Sequence, residues 1–162
     1  MQFKIGEMAV YPAQGVAEVT GVEVCDLGGH TLNCYVLHIL ATGATVMVPI
    51  SSCERAGMRK LMQETEIEEI YNILKMPAQC SQGTWNKRSR KLQQKLRSGS
   101  MSDMAEVLRD LSAQQENKGL SFGEKQMLNK CRELVVAEIS IASKQTSAVI
   151  ESNISNALAY HC

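Results

Sequence analysis

Aromatic residues are scarce in this chain: one Trp, two Phe and four Tyr among 162 residues. A core must therefore be built from Leu, Ile, Val and Met. Net charge is missing as well. The 17 basic residues balance 17 acidic ones, which excludes a protein that coats nucleic acid over its whole surface and leaves only local, salt-sensitive contacts. No apolar run approaches the ~20 residues that span a bilayer. The opening MQFKIGEMAV has no charged-then-apolar signal pattern. The expectation is a soluble, cytoplasmic protein without membrane contact. Catalytic constellations are absent too: no Walker loop, no nucleophile elbow and no H-E-x-x-H helix. Glu66, Glu68 and Glu69 cluster where a helix begins, and the helix dipole accounts for acids there. The sequence predicts no catalytic residue, no enzyme and no cofactor.

The six cysteines are scattered, and no two form a C-x-x-C pair. Free thiols in a reducing compartment are the expectation. Cys25, His30, Cys34 and His38 look ligand-like on paper. His30, Cys34 and His38, however, fall in one predicted strand, where neighbours four residues apart sit ~13 Å from each other. One zinc ion with ligands at about 2.0–2.3 Å cannot bridge them, so no metal site is predicted.

What is present divides by period. The first part alternates as strands do. Glu7 to Tyr11 is a short strand, and Pro12 to Gly15 turns the chain. Val16 to Leu27 changes its inward parity near Gly21, which predicts a bulge and a bent strand. Gly28-Gly29 is a hairpin signal. In the next strand Tyr35, Leu37 and Ile39 share a face, and after the turn at Thr42-Gly43 so do Val46, Val48 and Ile50. Alternation then turns Val36, Met47 and Pro49 outward as a candidate partner surface. Short, bent antiparallel strands predict a small SH3-like or Tudor-like barrel over residues 1–62.

From Thr65 onward the period is helical, and residues 63–162 are expected to form an all-helical domain. Capping pairs mark predicted helix starts at Thr65 with Glu68, Ser100 with Asp103, and Ser121 with Glu124. Met104, Val107, Leu108 and Leu111 recur at core spacing, as do Met127, Leu128, Cys131, Leu134, Val135 and Ile139. Lys144 to the C-terminus reads as a weaker last helix. The fold class is α+β in two domains.

One segment carries chemistry. Thr84 to Arg97, TWNKRSRKLQQKLR, holds the only tryptophan and six cations without one acid. An aromatic ring beside clustered cations suits a polyanion with stackable bases. Trp85, Lys87, Arg88, Arg90 and Lys91 are therefore candidate DNA-binding residues, with Leu92 and Leu96 as the helix's own buried stripe. Trp85 can stack on single-stranded bases, or wedge a base step or the edge of a melted duplex. A core tryptophan on a solvated basic helix, in an adaptor that bridges proteins without touching nucleic acid, is the alternative.

The chain resembles the CarD/CdnL family of bacterial transcription regulators along essentially its full length. The carriers are F-K-I-G-E, A-V-Y-P-A-Q-G-V, Y-V-L-H-I-L with V-M-V-P-I, T-W-N-K-R-S-R, A-E-V-L-R-D-L, and G-L-S-F-G-E-K-Q-M-L with E-L-V-V-A-E-I. The resemblance implies that the Tudor-like domain binds the RNA polymerase β subunit. It implies that the helical domain holds promoter DNA, largely without sequence readout, at the upstream fork of the bubble. Trp85 matches the family's wedge, and Lys87, Arg88, Arg90 and Lys91 match its backbone-gripping positions. The implied outcome is a longer-lived open complex with the housekeeping sigma-factor holoenzyme, notably at ribosomal RNA promoters, and a nucleoid-associated location through the polymerase. Some relatives carry arginines where this chain has Cys25 and Met47, and many carry an aromatic residue where it has Ser89. A polymerase contact here is therefore expected to be more apolar.

Overall fold

Alternating burial over the first sixty residues produces the expected sheet. The structure, a computed structural model, describes residues 2–79 and 84–161, and of Trp85 and His161 the backbone alone. The chain divides into two compact units, Met1–Leu61 and Met62–Cys162. In the first, β1 (Met8–Tyr11), β2 (Gly15–Leu27), β3 (His30–Ile39), β4 (Thr45–Pro49) and β5 (Arg59–Lys60) form one antiparallel sheet in the order β4-β3-β2-β1-β5. The unit is Tudor-like.

The bulge falls where the parity change puts it. Pairing runs Val19↔Leu37 and then Gly21↔Val36, leaving Thr20 as the extra residue. The Thr20 hydroxyl donates to the Val36 carbonyl at 3.2 Å, which occupies an acceptor at the disrupted ladder. Gly28 and Gly29 have φ of 60° and 82°, the paired positive values of a two-residue hairpin turn that other residues adopt with strain. Val19, Tyr35, Leu37, Ile39 and Val48 fill the core beneath the sheet, with Ala9, Ala17 and Met58. Leu37 is fully buried, and truncating such a leucine to alanine costs about 2–5 kcal/mol. Two of the rare aromatics are spent here. Phe3 packs edge-on to Tyr35 with ring centroids 5.8 Å apart, and its backbone N–H donates to the Tyr35 hydroxyl at 3.0 Å.

The second unit has five α-helices among the described residues: α1 (Glu64–Lys75), α2 (Trp85–Ser98), α3 (Met101–Asn117), α4 (Phe122–Ser143) and α5 (Ser147–Leu158). Helix α1 starts ahead of the predicted Thr65 cap. The Gln63 N–H donates to Glu66 Oε2 at 2.8 Å, so this pair closes the N-terminus instead. Ser121 and Glu124 form the expected reciprocal box, at 3.3 and 3.2 Å. Ser100 accepts from the Asp103 N–H at 3.4 Å, but the Asp103 carboxylate accepts from the Ser98 hydroxyl at 2.7 Å rather than returning to Ser100. Gly99, at φ 70°, makes the left-handed corner between α2 and α3.

Met104, Val107, Leu108 and Leu111 of α3 meet Leu128, Cys131, Val135 and Ile139 of α4 in one core. Met127 and Leu134 pack at its margin, only partly buried. Arg109, nearly buried, holds Asp110 through Nε at 2.8 Å and donates to the Ile73 carbonyl at 3.4 Å, joining α3 to the end of α1. Asp110 in turn accepts from the Gln79 N–H at 3.0 Å, fixing the start of the segment that leads to α2.

Candidate nucleic-acid interface and docking face

Thr84 opens α2 because its hydroxyl accepts from the Lys87 N–H at 3.5 Å, occupying one of the orphan donors of the first turn. No acid lies in that turn. Cations and the positive helix end therefore add at this point, where most helices place acids to offset it. The structure sorts the six cations of the run. Lys87, Arg90 and Lys91 are exposed, and among the described residues no acid pairs with them. Lys95 is neutralised by Glu106 of α3 at 2.8 Å. Arg97 is exposed at the far end.

Arg88 departs from the others. It recurs with Leu92 and Leu96 at four-residue spacing, so it lies on the inner side of α2 and is half-buried. It lines a cleft of about 510 Å³ with Lys91, Lys95, Asp110 and Gln114, and its Nε has no hydrogen-bond partner. The candidate DNA-binding set is thus brought onto one helix but not onto one face: Lys87 and Arg90 turn outward, Lys91 is exposed at the rim of the cleft, and Arg88 sits over it. Two expectations lie outside the described residues, namely the exposure of the Trp85 ring and the course of residues 80–83 ahead of it.

On the sheet, Val36 faces Met47 and Cys34 faces Pro49, so the proposed partner surface is contiguous across β3 and β4. Met47 is 42% exposed, while Val36 and Pro49 are half-buried. The surface extends onto β2 at Cys25, which the family resemblance groups with Met47 in the expected polymerase contact. Cys25 Sγ lies 3.9 Å from Met47 Sδ, and Leu32, opposite Cys25, is half-buried on the same face. The hydrogen bond of the Cys25 thiol to Cys34, with burial and the nearby Glu23 carboxylate, pushes its pKa up to about 11. The thiol is therefore protonated at neutral pH, so Cys25 itself adds no charge beside the Glu23 carboxylate. The curl of the sheet brings Cys25 and Met47 together.

No helix of the described residues is long and apolar enough to cross a membrane. Residues 3–62 match the CarD-like/TRCF RID domain, and residues 69–155 match the C-terminal domain of CarD. The first of these is an RNA polymerase β-interaction domain. The two matches define the class: a transcription regulator that interacts with RNA polymerase, rather than an enzyme. The chain belongs to the CarD/CdnL family. It is 26% identical over 150 residues to YdeB of Bacillus subtilis (strain 168), which is named as a candidate transcription factor, covering 93% of this chain and 98% of that one. It is also similar to the solved structure of CdnLNt from Myxoccoccus xanthus, at 42% identity over 40% of this chain and 90% of that one, with a TM-score of 0.33.

Proposed function

We propose that this protein docks on the RNA polymerase β subunit through Val36, Met47 and Pro49, and grips promoter DNA at the upstream edge of the bubble through Trp85, Lys87, Arg88, Arg90 and Lys91. The observation that carries the DNA half is a helix whose first turns hold exposed cations and no acid, opened by the chain's only tryptophan. Lys87, Arg90 and Lys91 take phosphates without reading sequence. Arg88 reaches the same backbone from the rim of its cleft. The indole wedges at the fork, where bases become available only after melting. A stacking contact worth ~1–3 kcal/mol then favours the open state roughly 5- to 150-fold, since 1.4 kcal/mol is a factor of ten.

Such DNA binding is weak alone. Docking on the polymerase of the housekeeping sigma-factor holoenzyme raises the local concentration of the helical unit at the promoter, ribosomal RNA promoters included, and gives the protein its place on the nucleoid. The test is the lifetime of the open promoter complex formed by purified holoenzyme with this protein and with Trp85→Ala. The wild type lengthens the lifetime and the variant shortens it 5- to 150-fold relative to wild type, by the stacking range of about 1–3 kcal/mol. Equal lifetimes, with the variant folded and still bound to polymerase, refute the wedge and favour an adaptor that makes no nucleic-acid contact.

A further inference from the structure

Cys25, Cys34 and Met47 step diagonally across β2, β3 and β4 on the outer face of the sheet. Cys25 stands opposite Leu32, Cys34 opposite Glu23 and Pro49, and Met47 opposite Val36. In a flat sheet this pattern would hold Cys25 and Met47 about 16 Å apart, from strand spacings of ~4.8 Å and a rise of ~3.3 Å per residue. Their sulfurs are 3.9 Å apart instead. The Cys25 thiol donates to Met47, and Cys34, 1% exposed, lies between the two in the strand register and against the Cys25 thiol. The hairpin therefore curls until the three sulfurs converge beside the apolar docking face. His30, Cys34 and His38 are strung too far apart along one strand to share an ion, whereas this set is assembled across three.

We propose that Cys25, Cys34 and Met47 form a three-sulfur site for Cu(I). With metal–sulfur bonds of about 2.3 Å, three sulfurs around a trigonal ion stand about 4.0 Å apart, and the separation of Cys25 Sγ and Met47 Sδ is 3.9 Å. Ligand type selects the metal. Thiolate and thioether donors favour Cu(I), whereas zinc sites draw on thiolate, imidazole and carboxylate. Among the described residues no group of three His, Cys, Asp or Glu is placed to hold a metal, so the thioether is the third donor. Loading exchanges two thiol protons for one Cu(I), with no change of oxidation state: two S–H bonds break, two copper–thiolate bonds and one copper–thioether bond form, and two protons leave. The product carries one net negative charge at the docking face and ties the Met47 side chain down. Resting on the docking reading above, it follows that Cu(I) loading weakens capture of the polymerase β subunit.

The experiment uses the full-length, reduced chain without oxygen, titrated with Cu(I) against a chromophoric Cu(I) chelator. Wild type withdraws one equivalent at this site. Cys25→Ser and Met47→Leu each weaken that binding by more than the roughly 10- to 100-fold that removal of an outer-shell partner costs. Both residues are at least partly exposed, so these variants, checked by circular dichroism, remain folded where Cys34→Ser need not. The remaining cysteines are common to all variants, so the difference reads this cluster. A Cu(I) affinity unchanged in both variants overturns the site, and displacement of Cu(I) by equimolar Zn(II) overturns the metal. Pull-down with β is scored separately. Loss of capture on loading, relieved in Cys25→Ser when each protein is compared with its own metal-free capture, supports the regulatory consequence, and unchanged capture removes it. If the metal-free chain fails to bind β, the docking reading fails while the titration still decides the site.

Discussion

Lys95 Nζ lies 2.8 Å from Glu106 Oε2, tying the middle of the basic helix to α3. With both side chains about a third exposed, at 36% and 37%, the pair stabilises by no more than ~1 kcal/mol. Its consequence is electrostatic. It neutralises one cation of the run, whereas Lys87, Arg90 and Lys91 have no acidic partner among the described residues. The triple variant Lys87→Ala, Arg90→Ala, Lys91→Ala should flatten the log–log dependence of DNA affinity on salt by about 2–3, at ~0.9 for each phosphate no longer neutralised. Lys95→Ala should leave that slope unchanged, because Glu106 already neutralises the cation. Fluorescence anisotropy with fork DNA over a salt series separates the two cases, and a flattening by about 0.9 in Lys95→Ala would show that Lys95 is as free as the others.

Met47 lies in the middle of the outer face, opposite Val36 and against Cys25. A carboxylate there must be desolvated on docking against an apolar partner. Met47→Asp should weaken β-subunit binding by about 10- to 100-fold, the range for an interface hot spot, while DNA binding by the helical unit stays unchanged. Surface plasmon resonance with immobilised β measures the first and fork-DNA anisotropy the second. Undiminished β affinity would exclude this face as the docking surface.

Asp110 satisfies two groups at once, the Arg109 guanidinium and the Gln79 N–H. Removing it leaves a nearly buried cation unpaired, at a cost of about 3 kcal/mol. It also frees the segment that feeds α2. Asp110→Ala should therefore lower both the denaturant midpoint of the chain and its effect on open-complex lifetime. Restoring stability at a distant site, for instance by a surface helix substitution, should rescue the first readout and not the second.

Glu7 links a turn to the edge of the sheet. Its carboxylate accepts from the Lys4 N–H at 2.9 Å and meets Lys60 Nζ at 3.5 Å. The Lys4 backbone hydrogen bond, with the Lys60 charge, holds its pKa below the ordinary carboxylate value against a smaller opposing effect of burial. The folded state thus binds this proton less readily than the unfolded chain. The stabilisation is present above the unfolded pKa and is lost as pH falls through the lower, folded one. Urea midpoints should drop less between neutral pH and about pH 3 in Glu7→Gln than in wild type. An identical drop in both would assign the acid sensitivity to other carboxylates.

Much of the fold was legible because period and sterics are local. The parity change near Gly21 located the Thr20 bulge, the Gly28-Gly29 pair located the hairpin, and the α3 stripe was buried as spaced. The α1 cap was misplaced at Thr65 because the segment offers several side-chain oxygen acceptors and acids at box spacing. Gln63 with Glu66 won through a hydrogen bond to the backbone that composition does not rank. The inward side of Arg88 was readable in principle from its four-residue spacing to Leu92, though the charge of the run drew attention outward. The family resemblance groups Cys25 with Met47 in one expected surface, but the contact between their sulfurs was not readable from strand spacing. It depends on how far the sheet curls, which sums small twists over three strands.

The two buried clusters share no residue: one draws on Phe3 through Met58, the other on Met62 through Ala157. Each interior is furnished from its own continuous stretch of chain. Recombination can therefore cut near the Leu61–Met62 junction and trade one half for a homologous counterpart without opening a hole in either hydrophobic centre. A lineage can thus retune either half on its own evolutionary schedule.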